Sequence, residues 1–534
     1  MSPVRVWEEP PYYVLRQGAG APLLFYMRQI KEFENRVTGT ETEYGVVPNG
    51  YTQYIGFADD IINNMPAEFI KSKGSGDFMA NGMLAYVDGS TPELATAEHL
   101  SFSDVVHAEM AQDIILNRTA AHFAVNEPFE DSTLFVARDV RKRVVSDNGN
   151  YWGYHISMST SRGVFDALKR YRGVFPYLAA HLATQAVFAG AGLLETNDNK
   201  YSMLPAQKAH SVEQVMGLET TNKRPLINIR DEPHSNTHKL ARLHVITTDP
   251  NMNPATSWLK LGALSWIVRL GEIGTTKWAA GILPENPVLA TRVCSNDETL
   301  SELITLTNGK KATPLDIQEK LVSLCEEIVE RNHYKFPDEE LAILKYWRKV
   351  IDTLKRAPES AIYDVEWIAR KQFLEAALSS GRQTTDGKKR ISKKYNMVQR
   401  ARMYDKIWDS IDPKVNACRR YMQIDGAYPS FPQYDQDITD YFVHHPPTNT
   451  RAYGRSVVVR AAALGYEFKH GYLLGLDWDA VTFDRIDYKL DDPRNPYGSN
   501  DFEKVVIAAE DFLDNHLEAK KAIAARAITY SLWP

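Results

Sequence analysis

The chain has 534 residues, of which 44% are hydrophobic and 24% charged, with a formal net charge of −6. That is the composition of a soluble globular protein with room for more than one domain, and its mildly acidic balance argues against a surface built for bulk nucleic-acid attraction. Three cysteines, Cys294, Cys325 and Cys418, form an odd count without metal-ligand spacing, which fits a reducing cytoplasm.

Met1 to Pro11 carries acidic residues and prolines where a secretory signal needs a basic patch and an apolar run, so no targeting peptide is expected. Residues 1–35 read as a leader in which Pro22 to Phe33 is helix-like. The next stretch, Gly39-Thr40-Glu41-Thr42-Glu43-Tyr44-Gly45, reads as a short strand. Side chains alternate along a strand, so Glu41 and Glu43 share one face and Thr42 and Tyr44 the other. Two neighbouring carboxylates call for a hard cation such as Mg²⁺ or Mn²⁺, or else they belong to a solvated edge.

Asp59 to Lys71 reads as a helix, and the glycine-rich stretch around Gly74 leads to a strand, Met83 to Asp88, that delivers an aspartate at its end. Thr91-Pro92-Glu93-Leu94 precedes a helix over Ser103 to Leu116. Thr133 to Ala137 and Gly153 to Met158 read as the arms of a hairpin around Asp147-Asn148-Gly149-Asn150. Gly173 to Leu194 is 22 residues without a charge, a membrane-spanning length. Its Pro176, His181, Gln185 and Ala189-Gly190-Ala191-Gly192 instead indicate a buried helix ending in a glycine loop.

Arg224 to Ile229 is a strand closed by Arg230-Asp231-Glu232-Pro233-His234, and Arg242 to Ile246 is another with Arg242 and His244 on one face. Helices then dominate: Ser257 to Leu270, Pro314 to Arg331, Asp338 to Leu354 and Asp364 to Leu378. Gly381 to Lys394 is basic and loop-like. A smaller region starts near 435 and closes with a helix over Asp501 to Ala527. Strands first and helices later indicate an α+β fold, divided into a leader 1–35, a large domain 36–434 and a smaller C-terminal domain 435–534.

The polar positions at strand ends are Glu41, Glu43, Asp88, Glu93, His155, Arg230, Arg242 and His244. Carboxylates, imidazoles and arginines together are what phosphoryl transfer from ATP requires, because the transferred group needs metal bridging and positive charge on its oxygens. Singly, each has a plainer reading: a hydrogen-bonded core histidine, a turn aspartate before Gly89-Ser90, a salt-bridged corner at Arg230. No Walker loop, kinase signature or dinucleotide fingerprint is present.

Taken in order, Gly39 to Gly45, Asn81-Gly82 through Tyr86-Val87-Asp88, Pro92-Glu93, Arg224 to His234, Arg242 to Ile246 and Pro446 to Tyr453 resemble the Pup ligase and depupylase family, carboxylate-amine ligases related to glutamine synthetase. The resemblance implies a curved antiparallel sheet packed with helices that binds ATP and Mg²⁺, a smaller C-terminal domain, and a small Pup-like modifier or its conjugates as partner, with no role for nucleic acid or membrane. It implies Glu41, Glu43, Glu93, His155 and His244 as metal positions, Asp88 as the catalytic aspartate, phosphate contacts from Arg230, Arg242 and Arg451, and Trp478 near the adenine.

Gly39-Thr40-Glu41 with Glu43-Tyr44-Gly45, the short spacing from Asp88 to Glu93, Gly217 to Thr221, Leu259-Lys260-Leu261-Gly262, Thr450 to Tyr453 and Trp478 to Phe483 resemble the depupylase branch, so the expected activity is an ATP-dependent amidase that cleaves a glutamyl amide of the modifier. The alternatives are a ligase that joins a glutamate γ-carboxylate to a lysine, and a nucleotide-binding homologue without turnover. Two departures stand out. The stretch between Gly45 and Phe78 is too short for the depupylase inserted loop, and the family's His-Glu-Asn-Tyr reads His155-Ile156-Ser157-Met158.

Overall fold

The computed structural model describes residues 32–48, 58–63, 65–66, 69, 77–89, 91–126, 134–138, 153–197, 200–275, 279–331, 334–380, 395–423 and 435–515. The strands, in chain order, are β1 (Thr38–Glu43), β2 (Gly45–Pro48), β3 (Asp77–Phe78), β4 (Leu84–Asp88), β5 (Thr91–Ala95), β6 (Leu134–Ala137), β7 (Tyr154–Ser161), β8 (Leu193–Asn197), β9 (Lys200–Leu204), β10 (Val212–Gly217), β11 (Arg224–Asn228) and β12 (Leu240–Val245). Eight of them form one sheet in the order β10-β11-β12-β7-β1-β5-β4-β3. Its pairings are antiparallel except β10 with β11. With the helices that follow, this is the α+β fold expected.

β1 alternates buried threonines with half-buried Gly39, Glu41 and Glu43, and β7 does the same with Tyr154, Ile156, Met158 and Thr160 buried. One face of the sheet is therefore apolar and must be covered. Under β7 and β12, Tyr154, Ile156, Met158, Leu243 and Val245 join a core with the helix Pro254–Ile273. That helix is buried on all sides, with Pro254 to Gly271 all enclosed. Asn253 caps it by accepting from the Ala255 N–H, and Gly274 ends it at φ 74°. Under β1 and β5, Tyr44 and Leu94 pack with Ala108 and Ile115 of the helix Phe102–Asn126, and Phe442 and Val443 of the helix Gln436–His444 join the same cluster.

A separate cluster holds Val458, Phe483 and Phe502, where the helices Ala452–Ala463 and Asn500–Asn515 pack on a three-stranded meander, Leu473–Asp477, Ala480–Phe483 and Ile486–Lys489. The helices Pro314–Arg331, Asp338–Arg356 and Glu366–Ser380 lie where their periodicity placed them. The apolar run from 173 is buried as two short helices, Phe175–Thr184 and Ala186–Ala189. No helix among the described residues is long and apolar enough to cross a membrane.

Several local expectations change. β6 and β7 are not a hairpin: β6 pairs with β2, setting Val136 opposite Val46 in the core, while both edges of β7 are occupied by β1 and β12. Thr91–Ala95 is a fully buried strand despite Pro92, and the helix expected over 103–116 runs to Asn126. The helix read from Asp59 is Ala58–Asn63. Residues 22–31 of the leader helix, the basic stretch 381–394 and the end of the last helix beyond Asn515 lie outside the described residues.

Candidate active site

The polar face of the sheet is assembled by register. Glu41 stands opposite His155 on β7, and Glu43 opposite Glu93 on β5. His244 stands opposite Ser157, and Arg242 opposite Ser159. Directly opposed residues of antiparallel strands project to the same side, so the alternation read from Thr40-Glu41-Thr42-Glu43 and from Arg242-Leu243-His244 produces a single polar patch.

Two clusters lie side by side on it. In the first, oxygens and ring nitrogens of Glu41, His155 and His244 fall within 4.8 Å of one another. His155 Nδ1 donates to Glu41 Oε2 at 3.1 Å, His244 Nε2 stands 3.7 Å from the same oxygen, and Arg242 Nη1 is 4.0 Å from Glu41 Oε1. Burial works against ionisation of Glu41, but the two imidazoles outweigh it and hold the carboxylate well below its ordinary value. Burial lowers His155 to about 4 against the pull of Glu41, so at neutral pH its ring acts as an uncharged donor. Arg242 Nη2 donates to His244 Nδ1 at 3.1 Å. The remaining ring proton of His244 is then on Nε2, the nitrogen that faces Glu41.

The second cluster is Glu43, Asp88 and Glu93, again within 4.8 Å. Burial, Glu41 and Glu43 together push Glu93 well above its ordinary value, and its Oε2 is buried without a hydrogen-bond partner. Burial also raises Glu43. Asp88 ends β4 and is exposed. Tyr86, opposite Glu93 and two residues before Asp88, shares the face and hydrogen-bonds Glu93. Sequence reading passed over it, although the period of two through Asp88 places it there.

Beside the first cluster lies a cleft of ≈ 670 Å³ of empty space, lined among others by Glu41, Ser157, Arg242, His234, Arg451 and Trp478. Trp478 is fixed edge-on to Phe78, with ring centroids 5.1 Å apart, and Arg455 lies 5.2 Å over its ring. Arg451 is buried, donating through Nε to Glu98 at 2.7 Å and through Nη1 to Leu490 O at 2.7 Å and to His234 O. It faces the cleft with its guanidinium engaged in the wall. Arg230 is not brought into the group: it is exposed and paired with Glu232 at 2.9 Å, the plain corner of its alternative reading. The loop after it holds Asp231, Glu232 and His234 at φ 70°, 50° and 46°, a strained conformation for such residues. Arg162 grips Asp231 from below at 2.5 Å.

Compared with known proteins, residues 36–482 match the model of the family described as Pup-ligase protein. A Pup--protein ligase of Acidimicrobium ferrooxidans is 29% identical over 434 residues, covering 80% of this chain and 89% of that protein. One from Bifidobacterium longum subsp. infantis is 26% identical over 495 residues, covering 89% and 94%. Among solved structures, the complex of the prokaryotic ubiquitin-like protein Pup with its ligase PafA superposes with a TM-score of 0.71 at 23% identity, covering 91% of this chain and 96% of that one. At that identity the likeness is one of fold. The two relatives are named ligases and are matched over nearly their full length, and this overturns the hydrolytic direction expected from the depupylase-like segments. With more than two thirds of its length matched by one family model, this chain belongs to the Pup ligase family.

Proposed function

We propose that this protein is an ATP-dependent ligase that joins the γ-carboxylate of a glutamate on a small Pup-like modifier to the amine of a lysine on a target protein. The observation that carries the reading is the placement of the two clusters on one sheet face beside the cleft, with a compensated carboxylate, Glu41, next to an uncompensated one, Glu93. Forming an amide from a carboxylate and an amine requires activation. The γ-phosphoryl group of ATP passes to a carboxylate oxygen and ADP leaves. The lysine nitrogen then attacks the acyl carbon, inorganic phosphate departs with that oxygen, and the nitrogen gives up a proton.

The buried, unpartnered Glu93 Oε2 and the crowding of three carboxylates fit a hard divalent cation such as Mg²⁺, with Glu43 and Glu93 as its holders. Bound there, the cation supplies neutralising charge to the phosphate oxygens. His155 serves as the donor that holds Glu41 in place, with the His244 ring beside it. Asp88, exposed at the end of its strand, is within reach of a lysine on a folded protein, which the buried glutamates are not, and it accepts the lysine proton. Trp478, held between Phe78 and Arg455, offers a flat wall to the adenine.

The test is to mix the purified protein with ATP, Mg²⁺, a modifier ending in glutamate and a lysine-bearing target. A new species with the combined mass less water, formed together with ADP and phosphate, is expected. Folded protein that consumes no ATP and forms no adduct overturns the reading.

A further inference from the structure

The segment His155-Ile156-Ser157-Met158, where the chain departs from its family's motif, is resolved by the alternation of β7. Ile156 and Met158 are completely buried against the helices, so those two differences do not reach the site. Ser157 does: it lies on the polar face, lines the cleft and stands opposite His244.

Its hydroxyl oxygen is buried and has no hydrogen-bond partner. Two other polar atoms on the same stretch of sheet are in the same condition. His244 Nε2 is buried and only approaches Glu41, at 3.7 Å, and Arg242 Nε has no acceptor although Nη2 is spent on His244. Buried polar atoms are rarely left unpaired in native proteins. Here all three can donate: the Ser157 O–H, the His244 Nε2–H and the Arg242 Nε–H. Glu41, the nearby acceptor, takes the His155 N–H at 3.1 Å, while His244 Nε2 at 3.7 Å stands beyond hydrogen-bond distance of it. A hydroxyl, an imidazole and a guanidinium with unpaired donors, at adjacent registers of β7 and β12 on one sheet face, offer a seat for an anionic oxygen.

We infer that Ser157 is a substrate-contacting residue: its hydroxyl joins His244 and Arg242 in donating to one oxyanion of the bound substrates, a phosphoryl oxygen of the nucleotide or an oxygen of the carboxylate being activated. This rests on the ligase reading above. The short serine side chain keeps the seat narrow and directs a single hydrogen bond into it, so its removal weakens binding of that oxyanion and leaves the rest of the cleft intact.

The experiment measures binding of a non-hydrolysable ATP analogue with Mg²⁺ by calorimetry, and KM for the modifier by adduct formation, for wild type, Ser157→Ala and Ser157→Thr. Loss of one hydrogen bond to an anion is expected to weaken one of these by about tenfold in Ser157→Ala, with Ser157→Thr restoring it. A weakened nucleotide affinity assigns the oxyanion to the phosphoryl group, and a raised KM with unchanged nucleotide affinity assigns it to the carboxylate. Alanine and wild-type values within about twofold of each other overturn the inference, as does an equal loss in the alanine and threonine variants, because then the hydroxyl is not what is read. Should Ser157→Ala not fold, Ser157→Cys, similar in shape and a poor donor, reads the same quantities. Wild-type protein that neither takes up nucleotide nor forms adduct fails the ligase reading itself, whereas active wild type with an indifferent alanine variant fails this inference alone.

Discussion

Gly153 and Glu43 are in direct contact: a Cβ on Gly153 would stand 2.3 Å from Glu43 Oε1 and 2.8 Å from its Cδ. The carboxylate is the movable partner of the two, so Gly153→Ala is expected to leave the fold intact and swing Glu43 off the patch. A displacement of about 1 Å in such a group costs on the order of 10²-fold in rate. Steady-state ligation and a melting curve on the same sample check this, and an alanine variant with wild-type kcat would show that the position of Glu43 is not required.

Asp88→Asn keeps the size of the side chain and removes its ability to take a proton. The ligation rate should fall by about 10²–10⁴-fold, the usual contribution of a positioned base, while nucleotide affinity by calorimetry stays unchanged. Loss of nucleotide binding in this variant would move Asp88 from proton transfer to holding the cation.

Glu93→Gln removes one of three crowded like charges. Without divalent cation the variant should be more stable than wild type, because burial and the neighbouring carboxylates disfavour the charge of Glu93. It should also lose the rise in melting temperature that Mg²⁺ gives the wild type. Equal stabilisation of both proteins by Mg²⁺ would place the cation elsewhere.

Glu98 sits between Arg451 and Arg455, accepting from both at 2.7 and 2.5 Å. Burial opposes its ionisation, but the two guanidiniums prevail and bring it from 4.5 down to about 2. A carboxylate with a depressed folded value stabilises the protein fully above its unfolded value. That contribution is lost as pH falls from about 4.5 through about 2. Glu98→Gln strands two buried cations and should cost about 3–5 kcal/mol, and its melting temperature should respond less to acid over that window than the wild type's does. An unchanged acid response would assign the acid sensitivity to other carboxylates.

The parts of this site that were legible in the sequence are those fixed by a period of two within one strand. Glu41 with Glu43, and Arg242 with His244, need no knowledge of partners, and the long helices from 314 to 380 announce themselves in the same way through their own period. Pairing was not legible: Thr91-Pro92-Glu93-Leu94 was given no element, although burial and the partners β1 and β4 make it a strand. β6 and β7, separated by a turn-like stretch, were read as neighbours although β6 finds its partner in β2. Arg230 follows the strand that leads to the site, but the backbone turns into a left-handed corner at Asp231 directly after it, and the Arg230 side chain pairs with Glu232 in solvent. The direction of the chemistry was misread because ligation and hydrolysis of the same amide use the same groups: segments such as Thr450 to Tyr453 and Trp478 to Phe483 reach the cleft through Arg451 and Trp478, and Leu259-Lys260-Leu261-Gly262 lies in the buried helix behind the sheet.

The alignment of β1 against β7 has one more consequence. Shifting it by a single residue would turn Glu41 and Glu43 into the oily layer beneath and lift Thr40 and Thr42 out toward the cleft. No state can therefore have a finished interior and an unfinished catalytic surface along this strand. A chain with this strand out of register would bury two carboxylates in its interior, so the cost of that burial, without any test of activity, also sorts competent enzyme from incompetent.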